Sequence, residues 1–229
     1  MIDFYYSPTP NGWKVGIMLE ECGLEYQTHL MSLVDGDQFK PEFLEISPNA
    51  KMPAIVDHSG KNGRTPVFES GAILLYLAEK TGQFAPTDEI LRKEMMEWLF
   101  WQVGNLGPLA GQYSHFRNYA PKTEEYGLNR YKGEYQRCLA VLDNRLEDRE
   151  FIVGEYSIAD MISFPWVLIA KAIDCPLDEF PNLSRWRATI KERPAVRTAV
   201  DLHRKVQNHG QTAETNSVLF NQNASHFKK

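Results

Sequence analysis

The chain has 229 residues, 43% hydrophobic and 24% charged, a composition that suits one large domain or two small ones and excludes global disorder. Its net charge of −5 excludes a nucleic-acid partner, because displacing counterions from phosphates takes clustered Lys and Arg. No apolar run reaches the roughly 20 residues of a membrane-spanning helix, and Met1-Ile2-Asp3-Phe4 opens a strand pattern, not the basic-then-apolar pattern of an export signal.

Residues 1–83 alternate strand and helix signals. Ile2 to Tyr6 is a β-rich run ended by Pro8 and Pro10. Val15, Met18, Leu19 and Cys22 fall at i, i+3, i+4 and i+7, one face of a helix over Gly12 to Cys22 that Gly23 stops. Tyr26 to Ser32 reads as a second strand, followed by a polar loop and a brief helical patch at Pro41 to Leu44. Ala54 to Asp57 and Thr65 to Glu69 read as two strands joined by a turn, and Ser70 opens a helix to Thr81 with Gly82 as its stop.

Beyond residue 83 the strand signals vanish. Phe84 to Asp88 reads as a linker, and residues 88–206 as an all-helical domain. Ile90 to Val103 is a long helix, broken by Gly104 to Gly111. Leu128, Tyr131, Tyr135, Cys138, Leu142 and Leu146 recur at three- and four-residue steps, marking another. Ser157-Ile158-Ala159-Asp160 is a capping box before a further helix. Pro181 to Ile190 and Pro194 to Val206 are two shorter helices, and residues 207–229 form a polar, aperiodic tail in which Val218-Leu219-Phe220 is the one apolar run suited to docking.

Three segments of the first part carry chemistry. Ser7-Pro8-Thr9-Pro10-Asn11-Gly12 lies between strand and helix, where free N–H groups attract anions and the Thr9 hydroxyl can hydrogen-bond a thiolate. The alternative is a turn with an ordinary cap. Asn49 to Ala54 holds the Met52-Pro53 step. Proline here is either a trans strand opening or a cis bond; if cis, it turns the Met52 N–H and C=O outward to pair with an extended peptide. In Phe68-Glu69-Ser70, Ser70 at a helix start can hold a carboxylate and Glu69 an ammonium, the two charges of an α-amino acid head; the alternative is a plain N-cap.

These segments, in this order, resemble the glutathione site of glutathione transferases. Ser157 to Asp160 resembles the capping signature of that family's helical domain. Pro8-Thr9-Pro10-Asn11-Gly12, Gln38-Phe39-Lys40-Pro41-Glu42-Phe43, Ile46-Ser47-Pro48-Asn49 and Trp98-Leu99-Phe100-Trp101-Gln102-Val103 are similar to the Nu-class bacterial members, glutathione-dependent disulfide-bond oxidoreductases. The resemblance covers residues 1–205. It implies an α/β thioredoxin-like N-terminal domain with a mixed four-stranded sheet, an all-α C-terminal domain and a homodimer. It implies glutathione as cosubstrate and no metal. Met52, set by Pro53, would pair with the cysteinyl backbone of glutathione. Glu69 and Ser70 would hold the γ-glutamyl head, and Gln38 and Lys51 would reach the glycyl end or the peptide backbone. Thr9 and Asn11 would flank the sulfur. In that class two glutathiones, or one oxidised molecule, share a site; Arg130 matches the arginine at the second one, and Gln112 and Tyr113 lie in the corresponding segment.

The identity of the nucleophile follows from what the loop lacks. Tyr5 and Tyr6 sit in a strand, where neighbouring side chains point to opposite faces and at least one belongs to the core. The three cysteines, Cys22, Cys138 and Cys175, are scattered without a Cys-x-x-Cys, a pattern of free thiols in a reducing, cytoplasmic setting. None lies in the Thr9 loop. A bound glutathione thiolate is therefore the expected nucleophile on a small disulfide. Conjugation of glutathione to an electrophile and glutathione binding without catalysis are the alternatives.

Overall fold

The computed structural model describes residues 1–33, 35–61, 63–120, 124–205 and 227. Two compact units emerge, Met1–Ile73 with Thr198–Lys229, and Leu74–Arg197. Val218-Leu219-Phe220 and most of the expected tail lie outside the described residues.

In the first unit, β1 (Ile2–Tyr6), β2 (Tyr26–Leu30), β3 (Ala54–Gly60) and β4 (Gly63–Phe68) form one sheet in the order β2-β1-β3-β4. β1 and β2 run parallel, which requires a crossover, and helix α1 (Pro10–Glu21) provides it. β3 runs antiparallel to both β1 and β4, so the sheet is mixed, as the thioredoxin-like expectation requires. Ile2, Phe4 and Tyr6 are buried on one face of β1, whereas Asp3 and Tyr5 point the other way. On that second face Phe43 of the short helix α2 (Pro41–Leu44) packs with Ile46, Ala54 and Val56, and Tyr5 leans on the cluster. β3 is therefore covered on both sides, which explains its unbroken buried start, Ala54 to Asp57. The loop before α2, expected to be irregular, holds a 3₁₀ turn at Asp37–Phe39. Helix α3 (Ser70–Thr81) ends at Gly82, whose φ of +68° is the left-handed conformation that glycine adopts without steric cost.

The second unit is helical. Helix α4 (Glu89–Trp101) starts at Asp88, whose carboxylate accepts from the Ile90 and Leu91 N–H groups at 3.0 and 2.9 Å. The expected break at Gly104 to Gly111 does not occur. α4 passes through one π-helical turn, Gln102–Leu106, directly into α5 (Gly107–Asn118). Each glycine costs only about 1 kcal/mol in a helix, and one of them is closely packed. A Cβ on Gly107 would stand 3.0 Å from Gln102 Nε2 and 3.5 Å from Trp166 Nε1. Helices α6 (Glu125–Arg145), α7 (Ile158–Leu168) and α8 (Pro181–Lys191) follow, and α9 (Pro194–Lys205) starts in this unit and continues beyond Arg197 into the first. α7 is buried from Ile158 through Val167, and its capping box forms as the sequence predicts. No helix among the described residues is long and apolar enough to cross a membrane.

Candidate active site

Strand register brings the three segments together. Tyr6 at the end of β1 pairs with Leu30 at the end of β2, Tyr5 pairs with Ala54 at the start of β3, and Ala54 pairs with Phe68 at the end of β4. The Thr9 loop, the loop to Gln38, the Met52-Pro53 step and the Glu69-Ser70 step therefore all leave the sheet at one end.

Thr9 caps α1. Its hydroxyl oxygen accepts from the Gly12 N–H at 3.3 Å, and its O–H points to the Ser7 carbonyl at 3.5 Å. The second contact is at the limit of a hydrogen bond, so the proton is available to a better acceptor. The turn leaves no room beside Gly12: an added Cβ would stand 2.4 Å from the Ser7 oxygen. Asn11 follows in the first turn of α1, half-buried.

The Met52–Pro53 bond is cis. Pro53 is buried, Met52 half-buried and Lys51 exposed. The Lys51 carbonyl accepts from the Ser47 hydroxyl at 3.0 Å, which ties this segment to the loop before it. Gln38 is fully buried on the 3₁₀ turn. Its Nε2 donates to the Leu33 carbonyl at 3.4 Å, and its Oε1 has no hydrogen-bond partner among the described residues. A buried acceptor left in this way costs about 1–3 kcal/mol unless a donor arrives.

At the last segment Glu69 has φ of +68°, a conformation a non-glycine side chain adopts at a cost of about 1–3 kcal/mol and one that recurs at functional sites. The Asn49 amide donates to Glu69 Oε1 at 3.3 Å. The Glu69 carbonyl accepts from the Ile73 N–H, so the N–H groups of Ser70, Gly71 and Ala72 stand at the open start of α3. Beneath Ser70 lies a residue that sequence reasoning missed. Lys14 of α1 is 2% exposed, and its Nζ donates to Ser70 Oγ at 3.4 Å. Burial pulls its ammonium pKa down to about 7, against the opposing charge of Glu69. Lys14 lies in the Gly12–Leu19 stretch of α1, which is buried throughout.

The other two candidates belong to the helical unit. Gln112 is exposed on α5. Arg130 is exposed on α6 and pairs with Glu134 at 2.8 Å, one helical turn away. Tyr113, by contrast, is buried in that unit, its ring stacked near Tyr135. Among the described residues no group of three His, Cys, Asp or Glu side chains is arranged to hold a metal ion.

The family model for the glutathione S-transferase N-terminal domain matches residues 9–80, and that for the C-terminal domain matches residues 113–194. The chain belongs to the glutathione S-transferase family. It is 49% identical over 203 residues to the disulfide-bond oxidoreductase YfcG of Escherichia coli, covering 87% of this chain and 94% of that protein. A glutathione transferase from Burkholderia graminis, solved with two glutathione molecules bound per subunit, superposes with a TM-score of 0.83 at 46% identity, covering 87% of each chain. A glutathione transferase from Pseudomonas putida, solved with one glutathione disulfide per subunit, does so with a TM-score of 0.83 at 41% identity, covering 88% and 91%.

A thiol reacts as its thiolate, and the structure narrows the choice of activator. Tyr6 is fully buried, and burial pushes its phenol up to about 12. It is core. Tyr5 stacks on His29 and packs against Phe43, on the face opposite Tyr6. Cys22 closes α1, its Sγ 4.0 Å from Met18 Sδ, and at 1.5 Å per residue it lies about 20 Å along the helix from Thr9. Cys138 and Cys175 are buried at 0% and 1% exposure, and burial raises both thiols.

Proposed function

We propose that this glutathione transferase is a glutathione-dependent disulfide-bond oxidoreductase in which the reactive sulfur belongs to bound glutathione. The observation that carries this reading is that no cysteine lies in the loop at the start of α1 and the three cysteines are remote from it along α1 or buried. The relatives support it. One is named for disulfide-bond oxidoreduction, and two were solved with paired glutathione or its disulfide.

The residues fit the tripeptide. Glu69 takes the γ-glutamyl ammonium, and Ser70 with the open N–H groups of α3 takes its carboxylate. The backbone of Met52 pairs with the cysteinyl unit. Gln38, whose buried Oε1 waits for a donor, and Lys51 serve the rest of the peptide backbone and its glycyl end. The Thr9 O–H turns from the Ser7 carbonyl to the sulfur and, with Asn11, favours the thiolate by hydrogen bonding to the charged form. Gln112 and Arg130 are assigned to a second glutathione.

The chemistry is thiol–disulfide exchange. A thiolate sulfur attacks one sulfur of the substrate disulfide, the other leaves as a thiolate and takes up a proton, and a second glutathione resolves the mixed disulfide. Two glutathiones are oxidised to one glutathione disulfide, and the substrate gains two electrons and two protons. Holding the partners side by side supplies the rate through proximity. The test is a variant with Cys22→Ser, Cys138→Ala and Cys175→Ala, its fold checked by circular dichroism. It should reduce a small mixed disulfide within about threefold of the parent chain, as expected for residues outside the chemistry. Loss of reductase activity in a folded variant overturns the proposal.

We place the enzyme in the cytoplasm, where sparse free thiols persist, and assign it no nucleic-acid partner. It acts as a homodimer. Sedimentation should give the mass of two chains; a one-chain mass at micromolar concentration would rule the dimer out.

A further inference from the structure

The turn from Ser47 to Lys51 joins two parts of the site that the linear order separates. Near its tip the Asn49 side-chain amide donates to Glu69 Oε1 at 3.3 Å, across 20 positions of chain. A carboxylate only accepts, so the amide must present its NH2 to Glu69. The turn is held on both sides of Asn49. The Ala50 N–H donates to the Ser47 carbonyl at 2.9 Å, and the buried Ser47 hydroxyl donates to the Lys51 carbonyl at 3.0 Å. Backbone strain gathers at the same place. Among the described residues four that are not glycine have left-handed backbones. Two of them are Glu69, at φ +68°, and Ala50, at φ +53°, which directly follows Asn49. Such conformations persist only where the surroundings impose them, and they recur where a site is preorganised.

We propose that Asn49 is a positioning residue for the substrate: it holds the Glu69 carboxylate in the orientation that receives the γ-glutamyl ammonium, without touching the ligand itself. This rests on the reading of Glu69 as the ammonium subsite. Glu69 is exposed, and a free glutamate side chain samples many rotamers that binding must freeze. The bond from Asn49 restricts them before the ligand arrives. It also leaves room for the ligand, because an ionised carboxylate has about four acceptor positions and this bond fills one. The amide is neutral, so it orients Glu69 without cancelling the charge that attracts an ammonium. Asn49 therefore serves recognition of the amine alone. The carboxylate of the same head group goes to Ser70 and the N–H groups at the start of α3, a separate set of donors.

The experiment titrates the intact protein and Asn49→Ala calorimetrically with two ligands. One is S-methylglutathione; the other carries a glutaryl group in place of the γ-glutamyl residue, so it keeps the carboxylate and lacks the amine. Asn49 is exposed, so Asn49→Ala should keep the fold, which circular dichroism checks. The variant should bind S-methylglutathione about three- to tenfold more weakly, the cost of freezing one glutamate side chain. It should bind the glutaryl analogue within about 1.5-fold of the parent chain, because the amine that Glu69 serves is missing. In reductase turnover KM for glutathione should rise by the same factor with kcat within about twofold, as for an interaction made equally in ground and transition states. Equal weakening of both ligands would mean that the turn supports the whole site, and it overturns the positioning role. So does an unchanged Kd for S-methylglutathione. A parent chain that binds the two ligands equally well makes no ammonium contact at Glu69, and the head-group reading itself then fails.

Discussion

Asp160→Ala is expected to destabilise the chain by about 3–5 kcal/mol, in the range reserved for broken buried networks. Asp160 is fully buried, and every group facing its carboxylate is a donor. Oδ1 accepts from the Ile152 N–H at 3.0 Å and the Trp186 indole N–H at 2.8 Å. Oδ2 accepts from the Ser157 N–H at 3.0 Å and the Ser157 hydroxyl at 3.2 Å. The residue is thus more than half of a helix cap. It ties the start of α7 to the backbone N–H of Ile152 and to α8 through Trp186. Alanine strands four donors in a place from which water is excluded. Asn keeps the shape but aims an amide N–H at a donor, so Asp160→Asn should recover only part of the loss. Denaturant unfolding followed by circular dichroism measures both, and a cost below about 1 kcal/mol for alanine would show that the network relaxes.

Glu69→Gly should separate stability from binding. Glycine removes the side chain from a left-handed backbone position and is expected to stabilise the fold by about 1 kcal/mol, less the exposed hydrogen bond from Asn49. The same change removes the carboxylate proposed to hold the ammonium of glutathione. Loss of one charged hydrogen bond corresponds to about a 10- to 100-fold weaker Kd. Ser70→Ala should weaken binding by a similar factor without the gain in stability, since Lys14 then loses its hydroxyl acceptor. Thermal melts and calorimetric titration read the two effects independently. If Glu69→Gly lowers stability and leaves affinity unchanged, the left-handed Glu69 has a structural rather than a binding role.

Where a signal is local, it was legible without coordinates. Apolar residues at i, i+3, i+4 and i+7 marked α1, although the structure starts it earlier, at Pro10, because proline suits the first turn and the periodicity begins only at Val15. The Ser157 to Asp160 box was legible because its two reciprocal bonds span four residues. The glycines around Gly104 and Gly107 misled, since local propensity reads them as a break. The cost of each is small, and the helix continues through them by one π-helical turn, with Gly107 closely packed beside Gln102. Lys14 escaped notice for a related reason: a lone lysine on a helix ordinarily faces water, and only the approach of Ser70, far along the chain, gives it a buried role.

By itself, the sequence determined the order of strands and helices up to α4, the capping box of α7, the segments that carry the chemistry and the absence of a cysteine from the loop at α1. These depend on interactions within a few residues, or on composition alone. Only the tertiary structure decided that the segments meet at one end of the sheet, that Met52–Pro53 is cis, that Glu69 is left-handed and that Lys14 lies beneath Ser70. Each of those depends on strand register or on burial, and both are set by contacts between residues that the linear order keeps far apart.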